Sequence, residues 1–561
     1  MAENFGGVEV FDLIIKGGSV VDGSGRARVA ADVGITNGVI AGVGALGTDA
    51  RQTIDAAGRI VAPGFIDPHT HFDVQLLWDG EARPALEHGV TTIVPGNCSL
   101  SLAPLKAEHR RGLVGMFQQI EEMPLAAFTD AFEWTWERFD GYVEAIERAL
   151  SINVAPLVGH SVIRMWVMGD AAQKRAATRD EIAQMQNLLR ECLEAGAVGL
   201  STSFVDVDER LHPVPSRFAY REELDEFAKV LGESGKMLQV VPEFYATDLT
   251  IARIDQLAEL SLAYAIPTTF SPLFDSAATP DNVPRTMARV EEQFARGARV
   301  WPQVQTRPID ISFSFERPSL FFARFPSWFR VMRLPRAERL AALRDADTVS
   351  RLVQETGADG GRAMLGRLRV RGGEGAPTEI VGRTLAEVAD DRGEAPALAL
   401  VNLSLENDLG VPFLAESVGH QDSARVGPLL AHPLVHVGAS DGGAHITSFS
   451  TYGDTGFLLS RYVRETGHLT LEQAVRKITA DTAEIWGLER RGKLETGYAA
   501  DVVVFDAERI DRGEEHAVFD MPGRGMRYVR NSIGVDTVIV NGTIAYSGGA
   551  YAASCAGVVC R

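Results

Sequence analysis

The stretch Ile60-Val61-Ala62-Pro63-Gly64-Phe65-Ile66-Asp67-Pro68-His69-Thr70-His71 decides how this chain is read. An apolar run leads into two imidazoles two positions apart, and in an extended segment alternate side chains share a face. His69 and His71 therefore point the same way at the mouth of a strand. Two histidines so placed can hold one divalent ion through ring nitrogens, provided further ligands arrive from elsewhere in the fold. A bare His-x-His is also compatible with two hydrogen-bonded polar side chains at a strand end, so the rest of the chain has to choose.

Downstream the same texture returns at intervals. Thr91-Thr92-Ile93-Val94, Val154-Ala155-Pro156-Leu157-Val158, Ala197-Val198-Gly199-Leu200-Ser201 and Met237-Leu238-Gln239-Val240-Val241 read as buried strands. So do Ile266 to Phe270, Ala298 to Val304 and Leu434 to Ala439. Most are separated by amphipathic helical stretches, such as Arg179 to Ala195 and Arg221 to Ser234. With the His-bearing strand this makes eight βα repeats, so the expected class is α/β with a (β/α)8 TIM-like barrel. An open doubly wound sheet is the alternative.

Both chain ends read differently, as short strands with turn signals. Asn37-Gly38 and Asn541-Gly542 mark hairpins between apolar runs. The expectation is a small β-sandwich domain formed by residues 1–62 and 485–561, with the barrel at 63–484 inserted into it. An insert at about 308–430 is too long for a plain crossover. Phe313, Phe315, Phe321, Phe322, Phe325, Trp328 and Phe329 crowd its first part. These aromatics either pack the insert's own core or form an apolar substrate wall.

The 561 residues carry 45% hydrophobic side chains and a net charge of -20, which argues against nucleic acid and anionic membrane as partners. Cys98, Cys192, Cys555 and Cys560 are too few and scattered for a disulfide scaffold, and no basic-then-apolar leader opens the sequence. A cytoplasmic homo-oligomer acting on a small-molecule substrate is expected. No run of about 18 apolar residues suggests a membrane span.

In such a barrel the chemistry sits at the C-terminal ends of the strands. Reading those ends gives His69 and His71, Cys98, His160, Gln239 and Glu243, Arg307, and Asp441 with His445. A carboxylate on the last strand lies beside the first once a barrel closes, so Asp441 can share an ion with the histidines and act as base toward water. Cys98 as thiolate adds a soft ligand suited to zinc, and otherwise is a small buried hydrophobe. Glu243 is a ligand, an acid/base group or a capping residue. Arg307 either grips an anionic substrate group through its guanidinium fork or closes an internal salt bridge.

The chain resembles the amidohydrolase superfamily, and within it the N-acyl-D-amino-acid deacylase (D-aminoacylase) branch, over nearly its whole length. The resemblance rests on Val61 to His71, Gly89-Val90-Thr91-Thr92-Ile93-Val94-Pro95-Gly96-Asn97-Cys98, Gly159-His160-Ser161, Gly438-Ala439-Ser440-Asp441-Gly442 and Gly492 to Val503. It implies a metal-dependent hydrolase acting on carbon-nitrogen bonds other than peptide bonds, with Zn2+, one ion and possibly two. His69, His71 and Asp441 would surround one position and Cys98 would contribute to a neighbouring one. Asp441 would be the proton-transferring group, with His160 and Arg164 lining the pocket.

The sequence departs from the branch where the fifth and sixth strands end. Leu238-Gln239-Val240-Val241-Pro242-Glu243 and Thr268-Thr269-Phe270-Ser271-Pro272-Leu273 contain no histidine, and the lysine that holds a substrate carboxylate is absent. The expectation is a mononuclear site unless Gln239, Glu243 or His445 moves in, with Arg164, Arg307 and Phe313 contacting a more apolar substrate. Lactone or ester hydrolysis, decarboxylation on the same site, and a non-catalytic binding protein are the alternatives.

Overall fold

The computed structural model describes residues 10–47, 50–357, 360–373 and 375–561. Eight short strands organise its centre: β1 (Phe65–Asp67), β2 (Val90–Ile93), β3 in two pieces (Asn153–Val154 and Leu157–Gly159), β4 (Gly199–Ser203), β5 (Met237–Val241), β6 (Thr268–Phe270), β7 (Val300–Val304) and β8 (His436–Val437). β1 pairs with β2, and β2 with the first piece of β3. The second piece pairs with β4, and pairing continues in chain order to β8, all of it parallel. The series returns to its start just above the strands. Thr70 bridges Gly442 in parallel, His71 N–H donates to the Gly442 carbonyl at 2.7 Å, and Asp441 N–H donates to that of His69 at 3.1 Å. This is a TIM-barrel-type arrangement, and its closure brings the ends of the first and last strands together.

Alternation along each strand separates two cores. Met237 joins Ile66, Val94, Ala155, Leu157 and Val198 in an interior floor, which Trp486 of helix Ala480–Trp486 closes from below. Leu238 and Val240 point the other way, into the layer against the helices. Gln239 therefore faces the interior above the floor. Helix Arg179–Glu194 starts where the Thr178 hydroxyl accepts from Glu181 N–H and the Glu181 carboxylate accepts from Thr178 N–H, a reciprocal cap. It buries Ile182, Met185 and Leu189, each worth about 1.5–3 kcal/mol when fully removed from water. An apolar floor on one side leaves the other side of the barrel for polar chemistry.

Strands from both chain ends form one hydrogen-bonded network of nine. Its seam is Ile60–Pro63, which pairs in parallel with Phe11–Val20 and antiparallel with Val502–Phe505. The turns expected at Asn37-Gly38 and Asn541-Gly542 have positive φ at both residues (52° and 75°; 45° and 81°), the conformation that suits a tight hairpin. Because Ile60–Pro63 runs directly into β1, this sheet anchors the His-bearing strand.

The long insert carries a small antiparallel sheet, Ile309–Phe313, Phe413–Gly419 and Arg369–Val370, surrounded by helices. Phe313, Phe315, Phe322 and Trp328 pack in its own core, with Phe322 stacked on Trp328 at 4.7 Å. Among the described residues no helix is long and apolar enough to cross a membrane.

Candidate metal centre

His69 and His71 leave β1 on one face, as an extended backbone requires, and both are at most 2% exposed. One ligand atom from each of His69, His71 and Cys98 lies within 4.8 Å of the other two. Cys98 Sγ is 3.5 Å from His69 Nε2 and 3.6 Å from His71 Nε2. On the other side Asp441 Oδ1 is 3.3 Å from His69 Nε2 and 3.8 Å from His71 Nε2. A tetrahedral ion with ligands at its usual N, O and S distances sets its ligands roughly 3.3–3.8 Å apart, so each of these pairs suits two ligands of one ion; Asp441 lies outside the set of three that are mutually within 4.8 Å, so Cys98 and Asp441 flank the histidines from opposite sides. The donor set is that of zinc: two imidazoles, a thiol and a carboxylate.

Backbone strain marks the same place. Cys98 has φ 55°, Asp441 φ 59° and Ala439 φ 88°, left-handed values that cost non-glycine residues about 1–3 kcal/mol each and persist where surroundings over-determine them. Gly443, at φ 89°, lies against the His71 backbone, where a Cβ would stand 2.8 Å from the carbonyl carbon and oxygen. The β8 turn and the β1 end are thus locked to each other through main chain.

Electrostatics set the protonation states. Burial pushes the His69 imidazolium down to about 4, and burial likewise lowers His71, so both are neutral, the form that binds metals. For Asp441 burial opposes ionisation, yet the fields of His69, His445 and His71 hold its carboxyl below the usual range. Burial, with Asp206, Glu121 and Asp441 nearby, pushes the Cys98 thiol well up. A bound divalent cation inverts that balance and favours the thiolate.

Two residues with no motif around them stand behind the histidines. His69 Nδ1 is 2.8 Å from Gln303 Oε1 of β7. His71 Nδ1 is 3.0 Å from Glu121 Oε1, at the end of helix Arg110–Ile120. Neither is legible in the sequence, because each lies far along the chain from its histidine and sits in an ordinary context. Asp206, just beyond β4, also faces this group; burial raises its carboxyl to about 6.

Of the other expected residues, His160, Arg164, Glu243 and Phe313 are engaged by partners of their own, while His445 lies near enough for its field to act on both His69 and Asp441. His160 is fully buried between the barrel and helix Arg221–Ser234; its ring nitrogens meet Thr202 Oγ1 at 2.9 Å and Glu223 Oε1 at 2.6 Å. Arg164, equally buried, is ion-paired with the same Glu223. Glu243 is held by Arg253 at 2.7 Å. Arg307 pairs with Asp454 at 3.2 Å and donates to the Ser440 carbonyl at 2.8 Å, which steadies the turn carrying Asp441. Phe313 stacks on Phe321 at 4.5 Å inside the insert. Gln239 is fully buried with neither amide atom hydrogen-bonded. His445 stacks against Phe449 at 5.0 Å on the β8 loop.

Residues 52–236 and 338–546 match the model of the amidohydrolase family. The chain is 30% identical to a D-aminoacylase from Alcaligenes xylosoxydans xylosoxydans, over 98% of this chain and 97% of that protein. It is 32% identical to an N-acyl-D-glutamate deacylase of the same organism, over 95% and 93% respectively. Among solved structures, N-acyl-D-glutamate deacylase from Bordetella bronchiseptica, complexed with zinc and a phosphonate inhibitor that mimics the tetrahedral intermediate, superposes with a TM-score of 0.71. That match is 27% identical and covers 99% of this chain and 100% of that one.

Proposed function

The chain belongs to the amidohydrolase family, and from that premise we propose that it hydrolyses the amide bond of an N-acylated small molecule with an apolar acyl or side group. The observation that carries this reading is that Cys98 from one side and Asp441 from the other meet His69 and His71 at the C-terminal ends of the barrel strands, each at ligand-like separations from both imidazoles. His69, His71 and Asp441 would hold zinc, with Cys98 beside them. A zinc ion there lowers the pKa of water and polarises the amide carbonyl.

Asp441 does the proton work. Its Oδ1 lies beside both Nε2 atoms, and its lowered pKa makes it a carboxylate at neutral pH. It accepts the proton of the attacking water and returns it to the leaving nitrogen, so that the C–N bond breaks to a carboxylate and an amine. Arg307, through the Ser440 carbonyl, keeps Asp441 in register with the histidines.

The apolar preference is supported by Phe204, Phe244 and Phe274, half-buried just beyond β4, β5 and β6, and by Phe449 on the β8 loop. Phe244 and Phe274 meet edge to face at 6.1 Å. This aromatic rim takes the role that the sequence alone allowed for Phe313. The same proposal treats 1–62 with 485–561 as a β unit supporting a catalytic unit at 63–484, whose insert spans about 308–430.

The test is hydrolysis of paired N-acyl substrates by zinc-loaded protein: one with an aromatic side group, one with a carboxylate side group, and a lactone of matched size. Turnover of the aromatic amide above the other two is expected. Turnover of the lactone alone would sink the amide reading.

A further inference from the structure

Glu121 is 1% exposed, yet among the described residues its only ion-pair partner is His71, and neither of its carboxylate oxygens makes a regular hydrogen bond. His71 Nδ1 is likewise buried without another partner. A buried carboxyl group with neither oxygen hydrogen-bonded is costly. A protein keeps it there only where something repays the burial. The two lone groups face each other at 3.0 Å, a separation from which a small rotation of the ring aligns Nδ1–H on Oε1.

The chain around Glu121 is held as a fixture. Glu121 N–H and Met123 N–H both donate to the Phe117 carbonyl, at 3.0 and 3.2 Å, and close the helix end. Glu122, at φ 58°, turns the other way and accepts from Thr447 N–H at 2.9 Å and from the hydroxyls of Thr447 and Ser448. One dipeptide therefore grips the loop after β8 with one carboxylate and faces the β1 histidine with the other.

We propose that Glu121 is a positioning residue for the metal centre: its carboxylate takes the Nδ1–H of His71, fixing the ring with Nε2 toward the ion and making that nitrogen a stronger donor. The inference rests on the reading of His69 and His71 as metal ligands. It makes the two histidines unequal, because His69 is backed by the amide of Gln303 and His71 by the carboxyl group of Glu121. Carboxylate backing fixes the tautomer and raises ligand basicity, and its loss weakens metal binding by about 10–100-fold.

The experiment compares wild type, E121Q and E121D, with E122Q as a neighbouring control. Zinc affinity is read by competition with a chromophoric chelator, and ligand geometry by the visible absorption of the cobalt(II) form. E121Q keeps the volume and replaces the carboxyl group with an amide, so a loss of about 10–100-fold in affinity and an altered cobalt band are expected, with partial recovery in E121D. Affinity and spectrum unchanged in E121Q, while wild type binds tightly, would overturn the proposal and leave the enzymatic reading standing. Wild type that binds no metal would overturn that reading first. Should E121Q not fold, the cobalt form of wild type decides. A slowly exchanging, paramagnetically shifted N–H from each of two histidines supports the proposal, and only one such signal contradicts it.

Discussion

Replacing Glu223 with Gln isolates what the buried cluster beyond β3 and β4 does. Glu223 and Arg164 have side chains 1% and 0% exposed, and His160 is 0% exposed. The carboxylate receives His160 Nε2 at 2.6 Å and the Arg164 guanidinium on its other oxygen. In E223Q the Arg164 guanidinium keeps the carbonyls of Arg175 at 2.9 Å and Ala172 at 3.3 Å, with at most a neutral amide oxygen in place of its counter-charge. Breaking a buried pair from one side leaves an uncompensated charge and costs about 3–5 kcal/mol. Glu223→Leu combined with Arg164→Met removes both charges and should recover most of that loss. Urea unfolding followed by tryptophan fluorescence measures the differences, with amide turnover recorded below the transition. The expected result is a strongly destabilised E223Q with near-normal turnover per folded molecule and a largely restored double variant. E223Q as stable as wild type, or stable but inactive, would refute the reasoning and return His160 and Arg164 to the substrate pocket.

Gly443→Ala forces a Cβ to within 2.8 Å of the His71 backbone at a positive φ, so zinc affinity should fall at least about tenfold while the melting temperature drops modestly; unchanged zinc content on dialysis would contradict the lock between β8 and β1. Glu181→Gln tests the helix cap by pH. The Arg175 contact comes first among the causes that hold the Glu181 carboxyl at about 2, below its ordinary 4.5. Its stabilisation is therefore complete above pH 4.5 and fades as pH falls toward 2. The gap between wild type and E181Q, about 0.2–1 kcal/mol at neutral pH, should narrow between pH 5 and 3 in thermal melts at about those values; a constant gap would assign the effect to packing.

Repetition and strand chemistry made the barrel readable. Met237 to Val241 occupies the strand that its apolar run suggests, and Asn37-Gly38 turns where its sequence favours positive φ. Ile266 and Pro267 fall outside β6, because the strand is only three residues long and its lead-in is loop. Among the candidate ligands, the His-x-His spacing, Cys98 and the Asp-Gly-Gly turn carry their chemistry in short local patterns, and the fold brings them together. Glu121 and Gln303 were invisible because a carboxyl or amide group behind a histidine has no local signature; its meaning comes from a partner far along the chain that only the fold brings near. The phenylalanines of the insert were ambiguous for another reason. Apolar side chains look alike in a core and in a binding wall, and only packing shows that Phe313 belongs to the insert's own core.

Metal content per chain, measured by plasma mass spectrometry on protein purified without chelator, tests the central claim most directly. Near one equivalent of zinc in wild type, lost in both His69→Ala and Asp441→Asn, is the result predicted from His69 and His71 with Cys98 and Asp441 on either side. A chain that binds no metal, or that keeps it in both variants, would contradict the assignment of the site.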